Sequence, residues 1–214
     1  MTIDDFIQDD TPADEVDRRA AVLGSLADTV RDLVDATIRT TVPNEQLLSA
    51  QADLADLVTL LRANQLPGPA SIRHNSAPTS WSWGNAVIGL ANAIAPPLRL
   101  IRNPGGVFHA EVHLGAAYEG PPGLVHGGVS AMLLDHLMGE TASASRGTIF
   151  TGTLTTRYRR GTPLGPLRLE ARITHEEGRK VFVAATISDP EGVTVEADGV
   201  FIRPASEAIQ PEAH

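Results

Sequence analysis

The sequence predicts an α+β fold in which an antiparallel sheet wraps one long central helix, with a helical extension in front of it. Three observations lead there. Val129, Met132, Leu133, His136 and Leu137 fall on one stripe at helical spacing, in a stretch running from about Gly127 to Ser143. Strand-like runs follow it: Ile149 to Arg159, Pro166 to His175, Arg179 to Ser188 and Val193 to Arg203, separated by short turns rich in Gly and Pro. Two amphipathic stretches precede everything else. One helix followed by a meander of strands can bury both apolar faces in a single layered core.

Taken in order, residues 1–65 read as an acidic N-terminal helical extension, 66–97 as a connector, 98–204 as the main domain and 205–214 as a disordered tail. Residues 1–12 are also expected to be disordered. From Ala13 to about Arg39, Val16, Ala20, Leu23, Ala27, Val30, Val34 and Ile38 recur at helical spacing. Pro43-Asn44 breaks that pattern. A second stripe of Leu47, Leu48, Leu54, Leu57, Val58 and Leu61 runs from about Glu45 to Ala63. Two such helices cannot make a core alone, so a hairpin packed on the main domain or on another subunit is expected. In the connector, Trp81 and Trp83 suit anchoring to the domain better than capping a tunnel.

The main domain opens with LRLI, read as a strand, and then GVFHAEVHLG. Phe108, Ala110, Val112 and Leu114 alternate onto one face, leaving His109, Glu111 and His113 on the other. That triplet does not make a metal site. Strand residues four apart stand about 13 Å apart, too far for both histidines to reach one ion. The turn DPEG suits a type I turn with Pro190 second and Gly192 fourth.

Composition narrows the function. The net charge of −9 argues against general nucleic-acid binding. Of the 26 acidic residues, 13 lie before residue 66, against 5 arginines, so the extension carries much of the negative charge. The absence of cysteine removes disulfides, thiolate nucleophiles and Cys-based metal sites, and fits a reducing cytoplasm. No signal peptide and no membrane-spanning stretch are expected. The most apolar run, Ala86 to Ile101, is interrupted by Pro96 and Pro97.

The stretch that organises the chain is GPPGLVHGGVSAMLLD, residues 120 to 135. Prolines and a glycine suit a rigid loop, and that loop delivers Gly127 and Gly128 to the start of a buried helix. Unpaired N–H groups there can hold an anion or a developing oxyanion. About two turns further in, Asp135 places a carboxylate in an otherwise apolar helix, where a charge is costly unless paired or working.

GPPGLVHGG, with an Asp nine residues after His126, resembles the PaaI-like branch of the hotdog-fold acyl-CoA thioesterases, in its GPPG-x-x-HGG form. The resemblance covers roughly residues 96 to 204. It implies a hotdog fold and hydrolysis of a fatty or other acyl-CoA to free acid and CoA, with no metal and no cofactor beyond the coenzyme A of the substrate. It places Asp135 as general base or nucleophile, the Gly127 N–H as oxyanion donor with Gly128 beside it, and Thr151 as the hydroxyl that holds the water or the Asp. Two roles are open to His126, a base or a brace for the loop, and bracing fits its place before the glycines better. Where some members carry an Asn against the thioester carbonyl, this chain has Gly120-Pro121-Pro122.

Arg157, Arg159 and Arg160, with Arg179 and Lys180, are candidates for the phosphates of coenzyme A, or else solvated sheet edges. A hotdog hydratase or dehydratase and a non-catalytic acyl-CoA-binding protein are the alternatives. Helix geometry adds an expectation about assembly. Gly127 and Asp135 on one helix stand about 12 Å apart along its axis. A reacting carbonyl needs donor and attacking group each within about 3.5 Å. The site is therefore expected at an interface, in a homodimer or a dimer of dimers, with Gly127 of one chain facing Asp135 and Thr151 of the next.

Overall fold

The computed structural model describes residues 7–68, 72–75, 80–96 and 98–204. The chain runs β1 (Ile7–Gln8), α1 (Ala13–Arg39), α2 (Asn44–Arg62), β2 (Arg73–His74), β3 (Ser80–Trp81), β4 (Ile101–Arg102), β5 (Phe108–Leu114), a 3₁₀ turn (Ala116–Tyr118), α3 (Gly127–Arg146), β6 (Phe150–Tyr158), β7 (Gly165–Glu177), β8 (Lys180–Asp189) and β9 (Gly192–Ile202). The last six strands form one antiparallel sheet in the order β4-β5-β7-β8-β9-β6. Helix α3 packs across it, chiefly on β7 and β8. This is the expected α+β arrangement, a sheet around a central helix with a helical extension in front.

Alternation explains the core. Leu167, Leu169 and Ala171 of β7, Val181, Val183, Ala185 and Ile187 of β8, and Val195, Ala197 and Phe201 of β9 point inward and are buried. They meet Leu133, Leu134, Leu137 and Met138 of α3, each 0% exposed. At about 1.5–3 kcal/mol for each large apolar side chain fully buried, this contact dominates the stability of the domain. The β8–β9 hairpin turns where Asp189 Oδ1 accepts the Glu191 N–H at 2.8 Å and Gly192 takes a φ of 124°, a value that favours glycine.

The front of the chain departs from expectation in several places. Residues 7–12 are ordered, not disordered: Ile7 and Gln8 pair in parallel with β2, and Asp9 bonds Thr11 and Arg73. The connector supplies β2 and β3, which pair antiparallel and with β1 form a small three-stranded sheet. Such short strands leave too few residues for alternation to be read. In LRLI only the last residue, Ile101, joins strand β4. The expected tail, 205–214, and residues 1–6 lie outside the described residues.

Helix α1 buries Val16 and Ala27 and fixes the segment before β4 through Arg31, which donates to the carbonyls of Ala95 and Asn92 at 3.2 and 3.0 Å. Tyr118 donates to the Ile94 carbonyl at 3.2 Å, tying the same segment to the loop that leads into α3. Trp81 and Trp83 lie 6.1 Å apart and tilted, beside Val16 and Leu23 of α1 in a cleft of about 660 Å³. Helix α2 does not pack back on α1 as a hairpin and has no buried residue. Among the described residues no helix is long and apolar enough to cross a membrane.

Candidate active site

The loop before α3 is held by its own backbone. Gly120 N donates to the Leu124 carbonyl at 2.9 Å and Leu124 N to that of Pro121 at 2.8 Å. His126 N donates to the Tyr118 carbonyl at 2.9 Å, and Val125 N to that of Thr162 at 2.8 Å. Gly123, at φ 73°, donates to Glu119 Oε1 at 2.7 Å. The prolines and this left-handed glycine give the chain one path into the helix. His126 is the N-cap residue: its Nδ1 accepts the Gly128 N–H at 3.0 Å. The side chain caps the helix start, and Nδ1 is the unprotonated ring nitrogen in that bond.

The cap also separates the two glycines. The Gly128 N–H is engaged by His126, whereas the Gly127 N–H has no acceptor among the described residues. An unengaged N–H at the positive end of a twenty-residue helix is a donor suited to a developing oxyanion.

Asp135 and Thr151 come together. Thr151 Oγ1 donates to Asp135 Oδ1 at 2.8 Å, leaving Oδ2 without a partner among the described residues. A bulge in β6 makes the meeting possible. Thr151 faces Phe201 and Thr153 faces Val200, so Gly152 is the extra residue. A Cβ at Gly152 would lie 2.8 Å from Ile202 Cδ1 and 3.1 Å from the Val200 carbonyl oxygen. Beyond the bulge the phase flips. Leu154, Thr156 and Tyr158, opposite Gly199, Ala197 and Val195, share the α3 face with Thr151.

Tyr158 was not singled out by the sequence reading. Its hydroxyl donates to the Gly127 carbonyl at 2.8 Å, so β6 holds α3 at both its first residue and Asp135. Strict alternation would place Tyr158 and Thr151 on opposite faces, and only the Gly152 bulge reverses that. Periodicity places His136 on the apolar stripe of α3. Its side chain is 17% exposed, with Nε2 buried, lacking a hydrogen bond and 4.0 Å from Glu140 Oε1. Burial pushes its pKa below the ordinary imidazole value, while Glu140 and Asp135 pull it back.

The basic cluster does not join Asp135 within one chain. Arg157 pairs with Asp198 at 2.5 Å and Arg159 with Glu196 at 2.6 Å. The inward phase of β6 is taken by Leu154, Thr156 and Tyr158, so Arg157 lies on the sheet face away from α3. Arg160 pairs with both carboxylate oxygens of Asp189 and holds that carboxyl below the usual carboxylate range. Arg179 donates to the Arg203 carbonyl at 3.1 Å, and Lys180 stands opposite Glu177 in the β7–β8 hairpin. On β5, Glu111 lies 3.6 Å from Arg168, and His109 and His113 stand on either side of it. Among the described residues no cluster of His, Asp or Glu has the arrangement of a metal site.

A family model described as "Thioesterase superfamily" matches residues 122–196. A solved structure described as a thioesterase superfamily protein is 33% identical with a TM-score of 0.75, covering 85% of this chain and 90% of its own. The chain belongs to the thioesterase superfamily. Its fold is the hotdog fold. The matched span of this thioesterase-superfamily chain holds His126, Gly127, Asp135, Thr151 and Tyr158. Coverage of 85% exceeds what residues 98–204 alone can supply, so the solved relative shares part of the N-terminal region too. Two further relatives carry the name acyl-coenzyme A thioesterase THEM4. The Xenopus laevis protein is 36% identical over 92 residues, 42% of this chain and 41% of that one. The Mus musculus protein is 34% identical over 100 residues, 45% and 41% respectively. This thioesterase-superfamily chain spans about two fifths of the length of those relatives.

Proposed function

We propose that this chain is an acyl-CoA thioesterase whose active site is shared between two copies. The observation that carries the reading is the Thr151–Asp135 hydrogen bond at 2.8 Å beside a helix whose first N–H, on Gly127, has no acceptor among the described residues. The THEM4 relatives, named acyl-coenzyme A thioesterases, supply the substrate class. The GPPG-x-x-HGG form of the loop supports a place in the PaaI-like branch.

In this reading the thioester carbonyl lies against Gly127 N–H of one copy, which stabilises the oxyanion of the tetrahedral intermediate. Asp135 of the other copy takes a proton from water as the water attacks, or attacks directly to give a mixed anhydride that water then opens. The C–S bond breaks, the thiolate leaves and is protonated, and the products are free acid and coenzyme A. Thr151 fixes one carboxylate oxygen so that the other points at the reacting atoms. No metal and no cofactor enter these steps.

Two surfaces support the shared site. Strand β6 is an edge strand of nine residues with no Pro and no Lys, with Phe150 44% and Tyr158 52% exposed. An unprotected edge of that kind favours pairing with a second copy. Gly128, Ala131, Met132, Asp135, Gly139 and Ser143 form the incompletely covered stripe of α3, lined by small residues that let another helix approach. Paired edges would continue the sheet and bring two α3 helices side by side. Arg157, Arg159, Arg160, Arg179 and Lys180 remain the candidates for the carrier phosphates, reached once a second copy is in place. The extension of residues 1–65, the connector 66–97 and the hotdog domain 98–204 are the units of this reading, and the cysteine-free chain suits the cytoplasm.

The test is hydrolysis of a panel of acyl-CoAs, followed by release of free thiol, in wild type and Asp135→Asn. The amide keeps the shape of the side chain but cannot accept the proton. Turnover by wild type, and its loss in Asp135→Asn with acyl-CoA binding nearly intact, is expected. An Asp135→Asn protein with most of the wild-type kcat contradicts the assignment.

A further inference from the structure

Among the described residues, α2 is the long helix with no buried residue. Its Leu47 (41% exposed), Leu57 (53%) and Leu61 (53%) stand in solvent. Leu47, Ala50, Leu54, Leu57 and Leu61 are spaced three, four, three and four residues apart, the a/d rhythm of a coiled-coil seam. Its neighbour α1 does not serve as the mate. The inner stripe of α1 is turned to the rest of the fold, and Thr40 and Pro43, at ψ 145° and 151°, hold the linker extended so that α2 does not fold back.

We propose that this seam pairs with the same seam of a second copy of the chain, α2 against α2 across a twofold axis. The three-four rhythm suits side chains that interdigitate with another helix, and Leu48, Val58 and Leu60 widen the exposed apolar face beside it. Charge selects against an anionic lipid surface, since Glu45, Asp53 and Asp56 outnumber Arg62 on this helix. The positions flanking the seam are Asn44, Gln46, Gln51, Val58 and Leu60, with Asp53 the one charge, so two identical helices meet with little repulsion.

Length sets what the pairing does. Residues 47 to 61 cover about two heptads, fewer than the three or four that a free-standing coiled coil needs. The seam therefore strengthens an assembly whose main contact lies elsewhere, and this part rests on the proposed edge-to-edge pairing of β6. The helical arm is an assembly device, and it carries no catalytic group.

The absence of native cysteine allows a direct test on the full chain. One cysteine is placed in the seam (Leu54→Cys) and, in a separate protein, one on the opposite side of the same helix (Asp56→Cys). Each is treated with a short bis-maleimide. Covalent dimer from L54C and not from D56C is expected. In parallel, Leu57→Lys with Leu61→Lys should weaken self-association, read by sedimentation, by at least about tenfold, while the fold is kept because neither side chain is buried. Equal cross-linking of both proteins, or of neither, in a sample that sediments as a dimer overturns the arm pairing and leaves the shared site standing. A wild-type monomer at assay concentration overturns both. Flotation with phosphatidylcholine vesicles that the lysine variant loses identifies lipid as the occupant and also overturns the pairing.

Discussion

Removing the hydroxyl that holds Asp135 gives a graded and decidable result. Thr151→Val keeps the β-branched shape on an edge strand and deletes only the donor of the 2.8 Å bond to Asp135. A hydrogen bond to a charged group contributes about 1.5–3 kcal/mol. Each 1.36 kcal/mol is about tenfold in rate, so a contribution realised in the transition state predicts a fall in kcat of about 10- to 150-fold. The bond orients an attacking group and does not bind the carrier, so KM should change much less than kcat. Thr151→Ser, which keeps the hydroxyl, should recover most of the loss. The assay is steady-state thiol release over a range of acyl-CoA concentrations, with circular dichroism to verify the fold. A Val protein within about twofold of wild-type kcat, or a change confined to KM, refutes the positioning role.

Three other outcomes follow from the same geometry. His136 resists protonation in the folded protein, so the unfolded chain binds more protons below its ordinary pKa of 6.5. Stability should therefore fall as pH drops through about 6.5, and His136→Asn should lessen the fall, read as urea midpoints at about pH 7.5 and about pH 5.5. An unchanged pH dependence contradicts the burial effect. Arg31→Ala should lower the unfolding free energy by about 1–3 kcal/mol, because the Ala95 carbonyl loses its side-chain donor and the Asn92 carbonyl keeps only the Ala95 N–H; a midpoint shift near zero shows that water replaces it. Raising salt should weaken acyl-CoA binding but not that of thioester analogues lacking the nucleotide. Equal responses remove the arginines from the carrier site.

What could be read from the residues and what could not follow from range. The long helices and strands were legible because their periodicity extends over many residues: α1 spans Ala13–Arg39 as read, and α3 begins at Gly127 as read. The short strands β1 to β3 were not, since two residues carry no period and their pairing joins positions far apart in the chain. At the site, Asp135, Thr151 and the glycine pair stood out through their motif and their cost in an apolar context. Tyr158 did not, because the bulge at Gly152 inverts its face, and a bulge is decided by sheet register. The carboxylate partners of Arg157, Arg159 and Arg160 lie on β8 and β9, so a local reading of RYRRGTP could not find them.

The shared site is tested most directly by mixing two inactive proteins. Asp135→Asn lacks the attacking group. Gly127→Pro lacks the donor N–H, at a first helical position where proline is tolerated, after a residue at φ −60° and ψ 131° that accepts a following proline. Gly127→Ala is the control: its Cβ meets the same Tyr158 ring, with the hydroxyl 3.3 Å away, but it keeps the N–H. Random pairing makes half of the dimers mixed, and each mixed dimer has one site intact in both halves. Activity should return to about a quarter of wild type. Subunits that exchange without any recovery, or a dilute monomer with full activity, contradict a site built from two chains.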